Sequence, residues 1–117
     1  RAALESIAYQ VKDVLELMAA ESGVALQTIE GDGGAVRNRF LMQFVADMVR
    51  YPLRIPDLAE LSALGAVYAG YLGCGLAGSL DDLAQLPRHT VQYVPQMPLD
   101  QVAELYAGWK AAVRRVL

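Results

Sequence analysis

The residue types best suited to chemistry in this chain sit together in one run, Gly31-Asp32-Gly33-Gly34-Ala35-Val36-Arg37-Asn38-Arg39-Phe40. Three glycines and an aspartate lie between a short β-prone stretch and a strongly helical one, which reads as strand, tight turn and helix. Gly33 and Gly34 lack a Cβ, so the main chain can turn sharply there and a flat or charged ligand can come close to it. A helix starting after such a turn offers unpaired N–H donors to phosphate or other electron-rich groups. Asn38, four residues after Gly34, can direct its side chain back toward the turn and offer an amide to a base. The same residues also fit a plain strand-to-helix connection with Asn38 as helix cap.

Three ligand chemistries compete for the turn. A dinucleotide fold wants G-x-G-x-x-G, and here Gly31-x-Gly33 is followed by Val36 where the third glycine belongs. A P-loop needs G-x-x-x-x-G-K followed by Ser or Thr, which the chain lacks. The third is adenine and ribose held against Gly33-Gly34, with the Asn38 amide on the base. Outside the turn little chemistry is available. Cys74 and His89 are single, cannot build a Cys/His zinc site, and give no reason to be read as a catalytic dyad. Asp57, Glu60 and the pair Asp81-Asp82 are read as solvated loop acids.

The elements that must position the turn follow from apolar spacing. Leu4, Ile7, Ala8, Val11, Val14, Leu15 and Met18 form the stripe of an amphipathic helix ending at Ser22-Gly23, with Gly23 as the left-handed cap. A strand is expected over Leu26 to Glu30. After the turn, Phe40, Leu41, Phe44, Val45, Met48 and Val49 mark a second helix ending near Arg50, and Leu53-Arg54-Ile55 a second strand between Pro52 and Pro56. A third helix, Ser62 to about Leu72, is rich in small residues (Ala63, Gly65, Ala66, Ala69, Gly70) and is expected to lie close to a sheet. Ser79 is placed to cap a short turn through Leu83, Val91 to Val94 is extended, and Asp100 to Leu117 forms a last helix anchored by Tyr106 and Trp109. Lys110, Arg114 and Arg115 suit the C-terminal end of its dipole. Alternating helix and strand predict an α/β class with helices packed on a short parallel sheet. Two strands are too few for such a sheet alone, so other chain is expected to complete it.

Composition narrows the partners. With 117 residues and 55% hydrophobic content the chain can form one compact domain or one large piece of one. A net charge of −3 supplies no basic field, so nucleic acid is not an expected partner. The lone cysteine excludes an internal disulfide and suits a reducing, cytoplasmic setting. The uncharged stretch Leu61 to Leu80 carries five glycines and reads as a core helix plus turn, so no membrane partner is expected. An opening Arg1 that enters a helix at once suggests a piece cut from a longer chain.

Four blocks in register now carry a resemblance. They are Arg1-Ala2-Ala3-Leu4-Glu5-Ser6-Ile7-Ala8-Tyr9-Gln10; Asp32-Gly33-Gly34-Ala35-Val36 with Asn38 and Phe40-Leu41-Met42-Gln43-Phe44; Glu60 with Ser62-Ala63-Leu64-Gly65-Ala66; and Leu105-Tyr106-Ala107-Gly108-Trp109-Lys110-Ala111-Ala112-Val113. In order and spacing they resemble the C-terminal end of glycerol-kinase-like members of the FGGY family of sugar and polyol kinases. The resemblance covers essentially the whole chain. It implies a fragment of a ribonuclease-H-like domain of the actin and hexokinase ATPase type. Residues 1–117 would be the C-terminal part of the second, nucleotide-side domain, and 98–117 a peripheral C-terminal helix. It further implies that Gly34 contacts ATP or ADP, that Asn38 reaches the adenine, that Gly33 and Ala35 shape the pocket wall, that Asp32 supports the turn, and that Ser62 to Ala66 start a helix packed behind the pocket. In the longer parent the implied reaction is ATP-dependent, Mg2+-assisted phosphorylation of a polyol or sugar hydroxyl. The phosphate loops, catalytic aspartate and polyol contacts would precede Arg1, so no catalytic or metal-binding residue is expected here. The chain departs from the family pattern at Gly31, where a hydrophobic residue is usual, at Arg39, where a second asparagine is common, and around Gly75-Leu76, which lacks the usual aromatic. The rival expectation is a non-catalytic packing or association module, including a homo-oligomer, formed through a free sheet edge and apolar surface.

Overall fold

Helix α2 (Arg39–Val49) is the element around which the others are arranged, because eight of its 11 residues are buried, Leu41 through Val49 with the exception of Gln43. A helix apolar on nearly every side must be covered from several directions. Here α1 (Ala2–Ser22), the sheet and α5 (Leu99–Val113) all lie against it. These elements come from a computed structural model, which describes residues 1–57, 61–86 and 89–116. Glu60 and Leu117, both used in the sequence reading, lie outside the described residues.

The sheet has three strands in the order β1 (Ile29–Glu30), β2 (Leu53–Pro56), β3 (Thr90–Tyr93). The β1–β2 pair is parallel, with Ile29 opposite Leu53 and Glu30 opposite Arg54, as the crossover through α2 requires. The third strand corrects the all-parallel expectation: β3 runs antiparallel to β2, with Leu53 opposite Tyr93 and Ile55 opposite Val91. The first strand is shorter than expected, and Thr28 just before it bonds by its hydroxyl to the Pro52 carbonyl at 3.1 Å. Leu53 and Ile55 alternate inward from β2 into the core with Leu41, Phe44, Met48 and Val49 of α2, Ala8 and Tyr9 of α1, and Val102 of α5.

Helix ends follow local chemistry. α1 stops at Gly23, whose φ of 65° is the left-handed cap expected from its sequence. α2 stops instead at Arg50, the one described non-glycine residue with positive φ, at 64°. That conformation costs an L-residue about 1–2 kcal/mol. The Arg50 guanidinium offsets it by donating from Nη1 to the Met97 carbonyl at 2.7 Å. Ser79 caps α4 (Leu80–Ala84) by accepting from the Asp82 N–H, as its position suggested.

The helix α3 (Leu61–Gly73) contradicts the expectation of a close-packed core helix. Only Leu64, Tyr68 and Leu72 are half-buried, on one stripe, while Ser62, Ala63, Gly65 and Ala66 are exposed. The inner face of β2 is already covered by α2, so the described chain has no uncovered core for α3 to enter. Accordingly the radius of gyration is 17.5 Å, against about 13 Å for a closed domain of this length.

Two polar clusters hold the C-terminal third to the rest. In the first, Oδ1 of the buried Asp47 accepts from the Gln96 N–H at 2.6 Å, the Met97 N–H at 3.1 Å and Gln43 Nε2 at 3.1 Å; Gln43 also donates to the Val94 carbonyl at 2.9 Å. In the second, Asp13 of α1 accepts from the Tyr106 hydroxyl and, at 2.8 Å, from Trp109 Nε1, so both aromatic anchors foreseen for α5 converge on one carboxylate. Trp109 also stacks on Tyr9 at 5.5 Å. Lys12 and Lys110 stand 4.9 and 4.3 Å from the Tyr106 ring centre. Burial, then the hydrogen bonds to Asp13 and Glu16, push the Tyr106 hydroxyl up from its ordinary value. For Glu16, burial acts to raise the carboxyl, but its bonds to Lys12 and Tyr106 outweigh this and hold it below the usual range.

Asp47→Ala, which removes the acceptor of the Gln96 and Met97 N–H groups, is expected to cost about 1–3 kcal/mol in urea unfolding, and Asp47→Asn, which keeps an acceptor at Oδ1, about 1 kcal/mol or less. Because Glu16 is lowered in the folded state, its contribution is present above its ordinary pKa and is lost as pH falls through the lowered value. Acid titration followed by Trp109 fluorescence therefore shows a loosening of α5, and Glu16→Gln makes that acid limb shallower.

Candidate functional site

The glycine turn is built from the end of β1 outward. The Gly31 N–H donates to the Arg54 carbonyl at 3.0 Å, so this residue extends the strand pairing. A Cβ there would stand 2.7 Å from Ile55 Cδ1, the far end of a side chain that would have to turn aside. Asp32 supports the turn as expected, its Oδ1 accepting from the Gly33 N–H at 2.6 Å. Gly33 has φ 96° and ψ 177°, a conformation that side chains strain, so glycine is needed for the backbone itself.

Gly34 differs. Its φ is not positive, and a Cβ built on it would meet nothing within 4 Å. Neither backbone conformation nor internal packing calls for glycine at this position. Gly33, Gly34 and Ala35 are all exposed, so the turn opens outward and no wall of this chain encloses it.

Between the turn and α2 lies a piece the sequence reading missed, a 3-10 turn over Gly34–Arg37, closed by Val36 N–H to Gly33 O at 3.2 Å and Asn38 N–H to Ala35 O at 3.1 Å. It separates the glycines from the helix start. α2 is capped by Asn38, whose Oδ1 accepts from the Leu41 N–H at 3.1 Å. One of the donors expected to be open at that helix end is thus already used. The Asn38 amide nitrogen is left with its two N–H donors beside the turn; its partners among the described residues are confined to Oδ1 and the main chain. Gly33, Gly34 and Ala35 are exposed and the half-buried Asn38 follows them, in an arc flanked by the exposed Arg37 and Arg39.

The arc contains donors and open main chain but no nucleophile and no general base. Among the described residues no group of three or more His, Cys, Asp or Glu converges in a way that could hold a metal ion. Cys74 is exposed, and the His89 carbonyl accepts from the Asp57 N–H at 2.9 Å. What the sequence reading passed over was Asp47 with Gln43 and Arg50, which pin residues 94–97. Its signal was a single acid, Asp47, within an otherwise apolar helix stripe.

Known proteins resemble the chain along its whole length. The pattern of the FGGY family of carbohydrate kinases, C-terminal domain, matches residues 1–74. A glycerol kinase of Geobacillus sp. (strain WCH70) is 47% identical over 117 residues, covering 100% of this chain and 24% of the relative. Among solved structures, Plasmodium falciparum glycerol kinase with ADP superposes with a TM-score of 0.85 at 28% identity, over 100% of this chain and 24% of that one. Xylulose kinase from Rhodospirillum rubrum gives 0.74 at 25% identity, over 99% and 24%. The chain thus spans about a quarter of the length of the curated relatives it matches. With that pattern running from the first helix through the glycine turn and α3 to residue 74, the chain belongs to the FGGY family of carbohydrate kinases.

Proposed function

We propose that residues 1–117 form the C-terminal, nucleotide-side portion of an ATP-dependent polyol or sugar kinase most like glycerol kinase, with 98–117 as its peripheral C-terminal helix. The observation that carries this reading is Gly34: an exposed glycine that neither its φ nor its neighbours require, leaving space for a ligand against the main chain. The relative solved with ADP, of the same fold over the whole chain, supports a nucleotide as that ligand. In this role Gly33 and Ala35 set the edge of the arc, Gly34 lets the nucleotide approach the backbone, and Asn38 donates from Nδ2 to an acceptor nitrogen of adenine. Asn38 does this while its Oδ1 caps α2, so one side chain fixes the helix start and reads the base.

Phosphoryl transfer in the longer kinase would move the γ-phosphoryl of ATP to a substrate hydroxyl. That step depends on bringing nucleophile, phosphates and Mg2+ together. No residue of this chain is assigned to Mg2+ or to the proton transfer; in this reading those groups belong to the rest of the longer kinase. The fragment is proposed to bind nucleotide weakly and to be inactive alone. A cytoplasmic setting fits the lone cysteine. The acidic balance argues against nucleic acid as a partner. No helix of the described residues is long and apolar enough to cross a membrane.

A second reading, a non-catalytic packing or association module, is favoured by one specific feature: the outward stripe of α1, with Ile7, Val14, Leu17 and Met18 all exposed.

Titration with ADP is expected to shift the amide signals of Gly34 and Asn38; shifts confined to other regions would count against this site. Asn38→Asp keeps the capping oxygen but removes both side-chain donors. It should leave the melting temperature unchanged and weaken ADP about tenfold or more. Sedimentation separates the second reading: a concentration-dependent dimer indifferent to ADP supports association, and a monomer whose melting rises with ADP supports the nucleotide role.

A further inference from the structure

The glycine arc sorts its hydrogen-bonding groups by kind. Its acceptors are already engaged: the Gly33 carbonyl accepts from the Val36 N–H at 3.2 Å, that of Ala35 from the Asn38 N–H at 3.1 Å, and that of Asn38 from the Met42 N–H at 3.0 Å. The Gly34 carbonyl lies inside the 3-10 turn, and Asp32 is tied back through Oδ1 to the Gly33 N–H. The donors are open. Among the described residues the exposed Gly34 and Ala35 N–H groups meet no acceptor, and the same holds for Nδ2 of Asn38 and the guanidinium groups of Arg37 and Arg39.

Asn38 decides what this means for a base. An amide free to turn over can pair with adenine through two bonds, donating to a ring nitrogen and accepting from the exocyclic amine. Here turning over is blocked, because only the oxygen can accept from the Leu41 N–H, at 3.1 Å, and that bond directs Oδ1 into the first turn of α2 beside a Leu41 that is 1% exposed. Asn38 thus offers a ligand its nitrogen and keeps its oxygen for the helix.

From this sorting we propose that the arc recognises a purine nucleotide by the acceptors on the base edge alone, without testing the exocyclic amine, so that hypoxanthine and guanine nucleotides are taken as readily as adenine ones. The inference rests on the nucleotide reading of the arc and names its substrate class, purine nucleotides rather than adenine nucleotides alone. A keto purine places a carbonyl oxygen beside its ring nitrogen, two acceptors on one edge, where adenine places one acceptor and one donor. Open donors meet the keto edge without a mismatch, and the adenine amine is left to water. Asn38 sets this breadth through the cap that fixes its orientation.

The test titrates ADP, inosine diphosphate and purine riboside diphosphate into the full chain while the amide signals of Gly34 and Asn38 are followed. Inosine diphosphate carries a keto oxygen in place of the amine, and purine riboside diphosphate carries hydrogen there. Inosine diphosphate is expected to bind as tightly as ADP or more tightly, and purine riboside diphosphate within about threefold of ADP, less than the loss of a typical hydrogen bond. Asn38→Ser keeps a capping oxygen for α2 and removes both amide donors without adding charge. It should weaken ADP and inosine diphosphate together, each by more than about threefold. A preference for ADP of more than about threefold over either analogue would overturn the proposal and leave the nucleotide reading in place. Equal binding that Asn38→Ser changes by less than that would overturn it too, because the base would then be read by other groups. No shift at Gly34 and Asn38 with any of these probes would remove the nucleotide reading itself, and the proposal with it.

Discussion

The structure depends on the covering of one short helix from all sides. α2 has 11 residues and buries eight of them, so it cannot remain folded without α1, the sheet and the C-terminal segment in place around it. Apolar burial holds the α1 and β2 contacts, where Ala8, Tyr9, Leu53 and Ile55 meet Leu41, Phe44 and Met48. The C-terminal contact is of another kind. Asp47, Gln43 and Arg50 grip the main chain of residues 94–97, and the directional bonds fix that segment's register where apolar packing alone would allow it to slide. A single buried carboxylate is satisfied here because one of its oxygens collects two backbone donors and a side-chain amide from the segment it holds.

This division explains what the sequence made legible. Elements set by local chemistry could be read directly: Gly23 ends α1, Asn38 and Ser79 cap their helices, Pro52 separates α2 from β2, and apolar spacing located α1, α2 and α5 within a few residues. Elements decided by distant partners could not. The direction of β3 depends on pairing with β2 across more than thirty residues, and an extended run such as Val91 to Val94 carries no mark of parallel or antiparallel. The exposure of α3 was hidden for a related reason. A helix of small and apolar residues looks the same whether its covering surface lies in this chain or elsewhere.

At the candidate site the arc was legible and the reasons for its residues were not. Three glycines read alike in the sequence and differ in the structure: a Cβ on Gly31 would press on the end of Ile55, Gly33 is held at a positive φ, and Gly34 has neither constraint. Asn38 shows the same layering, since its capping bond and its free donors belong to opposite ends of one amide. The 3-10 turn escaped the sequence because Gly34–Arg37 has neither the length nor the periodicity to announce it.

Arg50 has a wider consequence. A helix that ends on glycine carries its stop signal within itself, but α2 ends on an arginine held left-handed, and the group that compensates it is the carbonyl of Met97. The stop is thus written forty-seven positions downstream. Insertions or deletions between β2 and β3 can accumulate in surface connections without disturbing it, whereas gaining or losing one residue within 94–97 would shift Asp47, Gln43 and Arg50 off their backbone partners at once. A change of length is therefore least tolerated in the four residues near the end that α2 holds by their main chain.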